Sequence, residues 1–261
     1  MDEQPQQRTV QTETPYLMAV TIPFTSNPAE EATVRTKAAL AIGNGDVEVL
    51  GLTCDLVGVS GAFSINRKSI WSDTRVPLPM LCGKPDGPKP ILWLDRPLTV
   101  SQGLVIQADL LNDGGEPAGT LVYVCRVKGV NSPRVSVPEG IGIEEIITID
   151  SGFTATADER KRVATNLIDE DMLLYALHTN LDSATLNVIG IDGVPWNEDP
   201  VPTWALAGRA GSTLPVPRLR KPYLIPAGYK IVVEFINVGA EAAGQLYVRG
   251  LRLPKGSGVW Q

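Results

Sequence analysis

Residues 97–121 and 222–246 of this chain match without a gap at a constant offset of 125. Nine of the 25 positions are identical: Pro97/Pro222, Gly103/Gly228, Ile106/Ile231, Asn112/Asn237, Gly114/Gly239, Glu116/Glu241, Ala118/Ala243, Gly119/Gly244 and Leu121/Leu246. Asp109/Glu234, Leu110/Phe235 and Leu111/Ile236 are conservative pairs. Prolines and glycines match where the chain turns, and apolar residues match where it runs straight. Such a chain is expected to fold as two copies of one unit.

Each copy reads as strand, turn, strand. Pro97 or Pro222 lacks an N–H and suits the start of a strand or a sheet edge. Ser101-Gln102-Gly103 and Pro226-Ala227-Gly228 are turns. In the second, Pro followed two positions later by Gly predicts a type II turn, because only Gly takes φ > 0 cheaply there. An apolar run follows, 104–111 or 229–236, and Asn112 or Asn237 breaks it. A second run returns at 120–127 or 245–251. The product is a hairpin, or two facing strands of a sandwich.

The 261 residues allow one large or two medium domains, and the duplication favours two, each long enough to bury its own core. With 43% hydrophobic residues, 21 Pro, 25 Gly and few helical patterns, the chain is expected to be globular and all-β. A net charge of −6 opposes a nucleic-acid-binding role. The local basic clusters at 160–162 and 218–221 read as solvated faces or subunit contacts. Cys54, Cys82 and Cys125 read as buried free thiols of a protein made in a reducing cytosol. No signal peptide and no membrane-spanning run is expected.

Residues 1–15 are expected to form a flexible arm, 16–128 a first β-sandwich, 129–142 a linker, 143–254 a second sandwich and 255–261 a tail. Val34 to Ile42 is ambiguous between helix and strand. Phe153, Glu159, Val163 and Thr165 match Phe24, Glu30, Val34 and Thr36 at offset 129. Residues 214–219 match 76–81 at offset 138, and the change to 125 implies 13 extra residues in the first unit, around Cys82 to Asp95. Seven or eight short strands per unit is the size of a two-sheet sandwich or jelly roll.

The catalytic templates fail. His178 is the only histidine, so it cannot build a multi-His metal centre, and it sits in an apolar strand pattern where a structural role is expected. There is no nucleophile elbow, no Cys-x-x-Cys and no phosphate loop. Glu144/Glu145 and 169–171 invite a glycosidase reading, but adjacent acids on a strand face opposite sides, and the acidic run reads as a turn. A calcium loop is the alternative there, or around Asp192 and Asp199. No enzyme, cofactor or metal is expected. Trp71, Trp93, Trp196, Trp204 and Trp260 read as core lids or interface anchors. Trp260, Trp93, Trp204, Arg218 and Arg220 are the candidate interface residues. Trp260, on a Gly-Ser-Gly tail, is expected to dock, either on a neighbouring chain or on its own domain.

The stretch 219–237 (LRKPYLIPAGYKIVVEFIN) and its first copy at 94–112 resemble a segment of β-sandwich structural proteins of tailed bacteriophages, which include capsid decoration, minor capsid and tail proteins. The resemblance covers about 30 residues per copy. It implies a location in the virion, partners among other virion proteins (the capsid shell above all) and self-association, without nucleic acid or membrane. A decoration (cement) or minor capsid protein is the first expectation. A double-jelly-roll major capsid protein, or a carbohydrate- or receptor-binding tail protein, is the alternative.

Overall fold

The computed structural model describes residues 7–13, 16–23, 34–42, 45–56, 58–71, 74–84, 90–112, 118–128, 134–138, 143–191, 194–209, 218–253 and 259–260. By internal contacts the chain divides into two compact units. One holds residues 16–129 and 198–201; the other holds 1–15, 130–197 and 202–261.

A strand β1 (Gln7–Gln11) comes first. Then follow β2 (Tyr16–Pro23), β3 (Val34–Ala41), β4 (Val47–Cys54), β5 (Val59–Ile65), β6 (Lys68–Ile70) and β7 (Val76–Pro77). A helical turn α1 (Leu78–Leu81) leads to β8 (Leu92–Val100), β9 (Val105–Asn112), β10 (Ala118–Val127) and β11 (Arg134–Pro138). The second half repeats the pattern: β12 (Ile143–Asp150), β13 (Glu159–Ala164), β14 (Met172–Thr179), β15 (Ala184–Ile191), β16 (Val194–Pro195) and β17 (Val201–Pro202). A turn α2 (Thr203–Leu206) precedes β18 (Ala207–Arg209), β19 (Arg218–Ile225), β20 (Ile231–Asn237), β21 (Gln245–Arg252) and β22 (Val259–Trp260).

The protein is all-β, and each unit is a sandwich of two sheets. In the first, the sheets run β2-β10-β4-β8 and β3-β9-β5-β6. In the second they run β12-β21-β14, with β18 and β19 both beside β14, and β13-β20-β15-β16. With the eight principal strands of each unit numbered in chain order, both sandwiches read 1-8-3-6 and 2-7-4-5. That interleaving of first with last strands is the jelly roll.

Period-two patterning builds the sheets. In β20, Ile231, Val233, Phe235 and Asn237 are buried and the residues between are half-buried. In β9, Ile106, Ala108, Leu110 and Asn112 take the same parity. Alternate side chains of a strand point to opposite faces, so one parity fills the space between the sheets. The first core gathers Met18, Val49, Leu52, Phe63, Leu110, Leu121 and Tyr123. In the second, Phe153 and Phe235 meet edge to face at 6.1 Å, as do Trp196 and Tyr223 at 5.1 Å.

The ladders give the true correspondence between the halves. β9 pairs Val34 with Asn112, and β20 pairs Glu159 with Asn237, so the second strands of the two sandwiches correspond at 125. Val163 therefore answers Ala38, and the match of Val163 with Val34 at 129 is displaced by four residues. Offset 129 holds only for the first strand: Leu121 pairs with Val20, and Leu246 with Ile149. The expected 13-residue insertion does not exist. Val76-Pro77 followed by α1 stands 125 residues before Val201-Pro202 followed by α2. A Pro-x-Pro likeness between the turn-rich segments 76–81 and 214–219 imitates homology. The one length difference this leaves is four residues between the first and second strands. Val34–Ala41, ambiguous by composition, is a strand. Phe24, Glu30, Gly114, Glu116 and residues 214–217, which enter the sequence matches, lie outside the described residues.

Candidate interaction surface

The shared turns are built from the duplicated residues. Gly103 and Gly228 have φ of 80° and 84°. Leu104 N–H donates to Ser101 O (3.1 Å) and Tyr229 N–H to Pro226 O (3.4 Å), closing two type II turns. Each turn is held by an aspartate 125 residues from its twin. Asp46 accepts from Gln102 N–H at 2.9 Å, and Asp171 from Ala227 N–H at 2.8 Å. Pro97 lies on β8 and Pro222 on β19, beside these turns.

Asn112 and Asn237 end the apolar strands, buried at 2% and 0% exposure. Asn237 donates to Glu241 O and accepts from Glu241 N–H, both at 2.8 Å. The Glu241 carboxylate accepts the N–H groups of Asp182 and Ser183, each at 2.7 Å. Gly119 and Gly244 allow a close approach. A Cβ there would lie 2.1 Å from Leu56 and 2.4 Å from Leu181, again a pair at offset 125. These shared residues are scaffold, so function must be sought where the halves differ.

They differ most at the outer face of the 1-8-3-6 sheet. In the second sandwich this face presents Leu173, Leu224, Leu251 and Leu253. The residues 125 earlier are Glu48, Thr99, Arg126 and Lys128. In the first sandwich Arg126 pairs with Glu48 at 2.5 Å, and Thr99 and Lys128 are exposed. In the second, Leu173, Leu224 and Leu253 are buried in a cluster with Val135, with Val10 and Leu251 packed against it.

The cover is a third, three-stranded sheet, β1-β11-β22, made of the two ends of the chain and its middle. Val10 pairs with Val135, and Val135 with Val259. Glu13 N–H donates to Pro222 O at 3.0 Å, and Thr12 is buried at 1% exposure. The segments expected as flexible arm, linker and tail thus each contribute a strand to one clasp. Four leucines on the outside of a sheet would otherwise face water, at about 25 cal/mol for each Å² of apolar surface. By backbone, Trp260 pairs with Arg134 of its own chain, so the tail's partner is its own linker strand. Alternation in Thr9-Val10-Gln11 and Arg134-Val135-Ser136-Val137, read beside the leucine-for-charge exchange at offset 125, is the signal that could have found the clasp.

The other candidate residues do not converge. Trp93 lies half-buried on β8, against Gly51; Trp204 is half-buried in α2; Arg218 and Arg220 are on β19. Trp71 stacks edge to face on Phe63 at 5.0 Å. Glu144 is tied to its own sheet: Tyr175 Oη donates to it at 2.5 Å and Arg249 Nη2 at 2.6 Å. Burial, then the bond to Glu144, pushes the Tyr175 hydroxyl up, and Glu144 holds Arg249 above its usual value. His178 is half-buried; burial first, then Arg249, pushes its pKa down. The three cysteines are buried and free. A hydrogen bond to Cys54, then burial, raises Cys82, and burial raises Cys125, which holds Cys82 and Cys125 protonated. Among the described residues no three His, Cys, Asp or Glu side chains stand together as a metal site, and no helix is long and apolar enough to cross a membrane. A cavity of about 230 Å³ opens in the second sandwich, lined in part by Glu145, Ile147, Leu167, Glu170 and Arg252.

The sequence matches no protein family and no curated protein. Two solved structures align over nearly the whole chain. One is the major capsid protein P2 of bacteriophage PM2, 10% identical with a TM-score of 0.28, covering 97% of this chain and 100% of that one. The other is a chain of the crystal structure of plant peptide RALF23 in complex with FER and LLG2, 9% identical with a TM-score of 0.22, covering 98% of each chain. Superpositions at these scores carry no argument about what the chain does.

Proposed function

We propose that this chain is a structural protein of a bacteriophage virion that acts through protein–protein contacts and carries out no chemistry. The observation that carries the reading is the presence in one chain of two jelly rolls with the same strand order. Jelly rolls recur in capsid shells, and also in lectins and cupins, so the argument is one of architecture. It is joined by the virion-protein resemblance of residues 94–112 and 219–237. Two similar units offer similar surfaces to similar neighbouring sites, as a repeating lattice requires. Within the virion reading, tandem jelly rolls favour a shell-building role over decoration.

Quantitative mass spectrometry of purified particles from the producing host tests this. Hundreds of copies per particle are expected for a shell or decoration protein, and a cryo-EM map then separates the two. Tens or fewer would move the protein to the tail, and absence from particles would end the virion reading.

A further inference from the structure

The first strands of the two sandwiches are equivalent, yet their outer edges differ. On β2 the edge is occupied. Glu198 N–H donates to Leu17 O at 3.1 Å, and Ala19 N–H donates to the Asp199 carboxylate. Both partners lie in the segment Glu198–Val201, which goes with the first sandwich. Leu17 and Ala19 are buried at 0% and 8% exposure.

β10 pairs Leu17 with Val124 and Ala19 with Val122, while β21 pairs Ile146 with Arg249 and Thr148 with Tyr247. Val124/Arg249 and Val122/Tyr247 are pairs at offset 125, so Ile146 stands where Leu17 stands and Thr148 where Ala19 stands. Ile146 is 59% exposed and Ile143 on the same strand 62%. Among the described residues, none bonds the outward C=O of Ile146 or N–H of Thr148.

An open strand edge is a template for pairing, and proteins commonly block it with charge. The neighbouring edge strand β13 is blocked in that way, by Arg160, Lys161 and Arg162. β12 is not. Its charged residues are turned to their own sheet, Glu144 to Tyr175 and Arg249, Glu145 toward Arg252 at 4.0 Å, and Asp150 to Gln245 at 2.6 Å.

Counting back 125 residues from Asp199–Val201 leads to Thr74–Val76, of which Thr74 is exposed. We propose that the outer edge of β12 receives the Thr74–Val76 stretch of a second copy of this chain. The contact repeats on β12, between molecules, what Asp199–Val201 does on β2; the counterpart of Glu198, Asp73, lies outside the described residues. Thr74 takes the place of Asp199, and its hydroxyl oxygen can accept the Thr148 N–H. Donor and acceptor are different patches, so the contact is head to tail, and repetition gives a ring or a filament according to the rotation per step. The inference rests on strand equivalence and is independent of the virion reading.

Light scattering behind size exclusion, on the full chain over a range of concentrations, is the first test. Species heavier than the 28.0 kDa chain are expected. Ile146→Lys should weaken association at least tenfold and leave circular dichroism unchanged, and its melting should match that of the unaltered chain at concentrations where both are monomeric. Mixing Thr74→Cys with Ile146→Cys under mild oxidation should give a covalent dimer that neither variant gives alone; this readout does not depend on the lysine variant folding. A chain that stays monomeric without a mixed cross-link overturns the proposal. So does Ile146→Cys dimerising by itself, or an oligomer that Ile146→Lys leaves intact.

Discussion

Replacing Val135 by alanine should destabilise the second sandwich and leave the first alone. Val135 sits in the central strand of the clasp at 0% exposure, clustered with Leu173, Leu224 and Leu253. Val→Ala removes two buried carbon groups, and at about 0.8 kcal/mol each the transfer loss is about 1.6 kcal/mol. A residual cavity adds to this in proportion to its volume, so a loss of about 2 kcal/mol is expected. The assay is urea unfolding of the full chain. The two units make a single transition unsafe to assume, so each needs its own probe: Trp93 and Trp71 report the first sandwich, Trp196 and Trp204 the second, with Trp260 replaced by phenylalanine throughout. Retaining one pair at a time, with phenylalanine at the other, separates the transitions. The midpoint of the second should fall and that of the first should not. Among the described residues, the equivalent first-sandwich surface, with Arg126 and Glu48, has no apolar cluster to uncover. A second-sandwich loss below about 0.5 kcal/mol, the range of ordinary surface substitutions, would refute the claim that the clasp stabilises this sheet. So would an equal loss in both sandwiches.

Other outcomes follow from single sites. Gly103→Ala and Gly228→Ala should each cost about 1–2 kcal/mol in chemical denaturation, because their positive φ penalises any Cβ although neighbouring space is open. Gly244→Ala should cost about 1–3 kcal/mol for a different reason, the 2.4 Å contact its Cβ would make with Leu181; pairing it with Leu181→Ala should recover part of the loss. His178 has a folded pKa below its unfolded value near 6.5, so the unfolded chain takes up the proton first as pH falls. Its contribution to stability should therefore be complete above about pH 6.5 and decline below it, and His178→Gln should flatten the difference between pH 7 and pH 5 in thermal melts. Glu241→Gln should weaken the acceptor of the Asp182 and Ser183 N–H groups, seen as faster hydrogen exchange at those two amides.

The sequence by itself determined the class of fold and the halves' shared grammar. Period-two burial is written into residues 104–112 and 229–237. A glycine is needed wherever φ is positive, so Gly103 and Gly228 mark their turns before any coordinates are consulted. These are local signals, carried by one strand and its turn. Strand order and the clasp were different. Which strand lies beside which depends on contacts between residues more than a hundred positions apart, and no local pattern encodes that β1, β11 and β22 meet. Polar composition made 1–15 and 255–261 look unable to fold, which is true of each alone. Val10 packs against Leu173, Leu224 and Leu253, leucines that one strand's pattern cannot tell from core, and Val259 pairs by backbone with Val135 of the same cluster. The offset of 138, and that of 129 beyond the first strand, failed for the same reason: short turn-rich segments resemble each other by composition, and only hydrogen-bonded ladders say which residues occupy the same place. The open edge at Ile146 is legible only once Leu17 is seen as its counterpart, because exposure belongs to the folded surface and the sequence alone does not carry it.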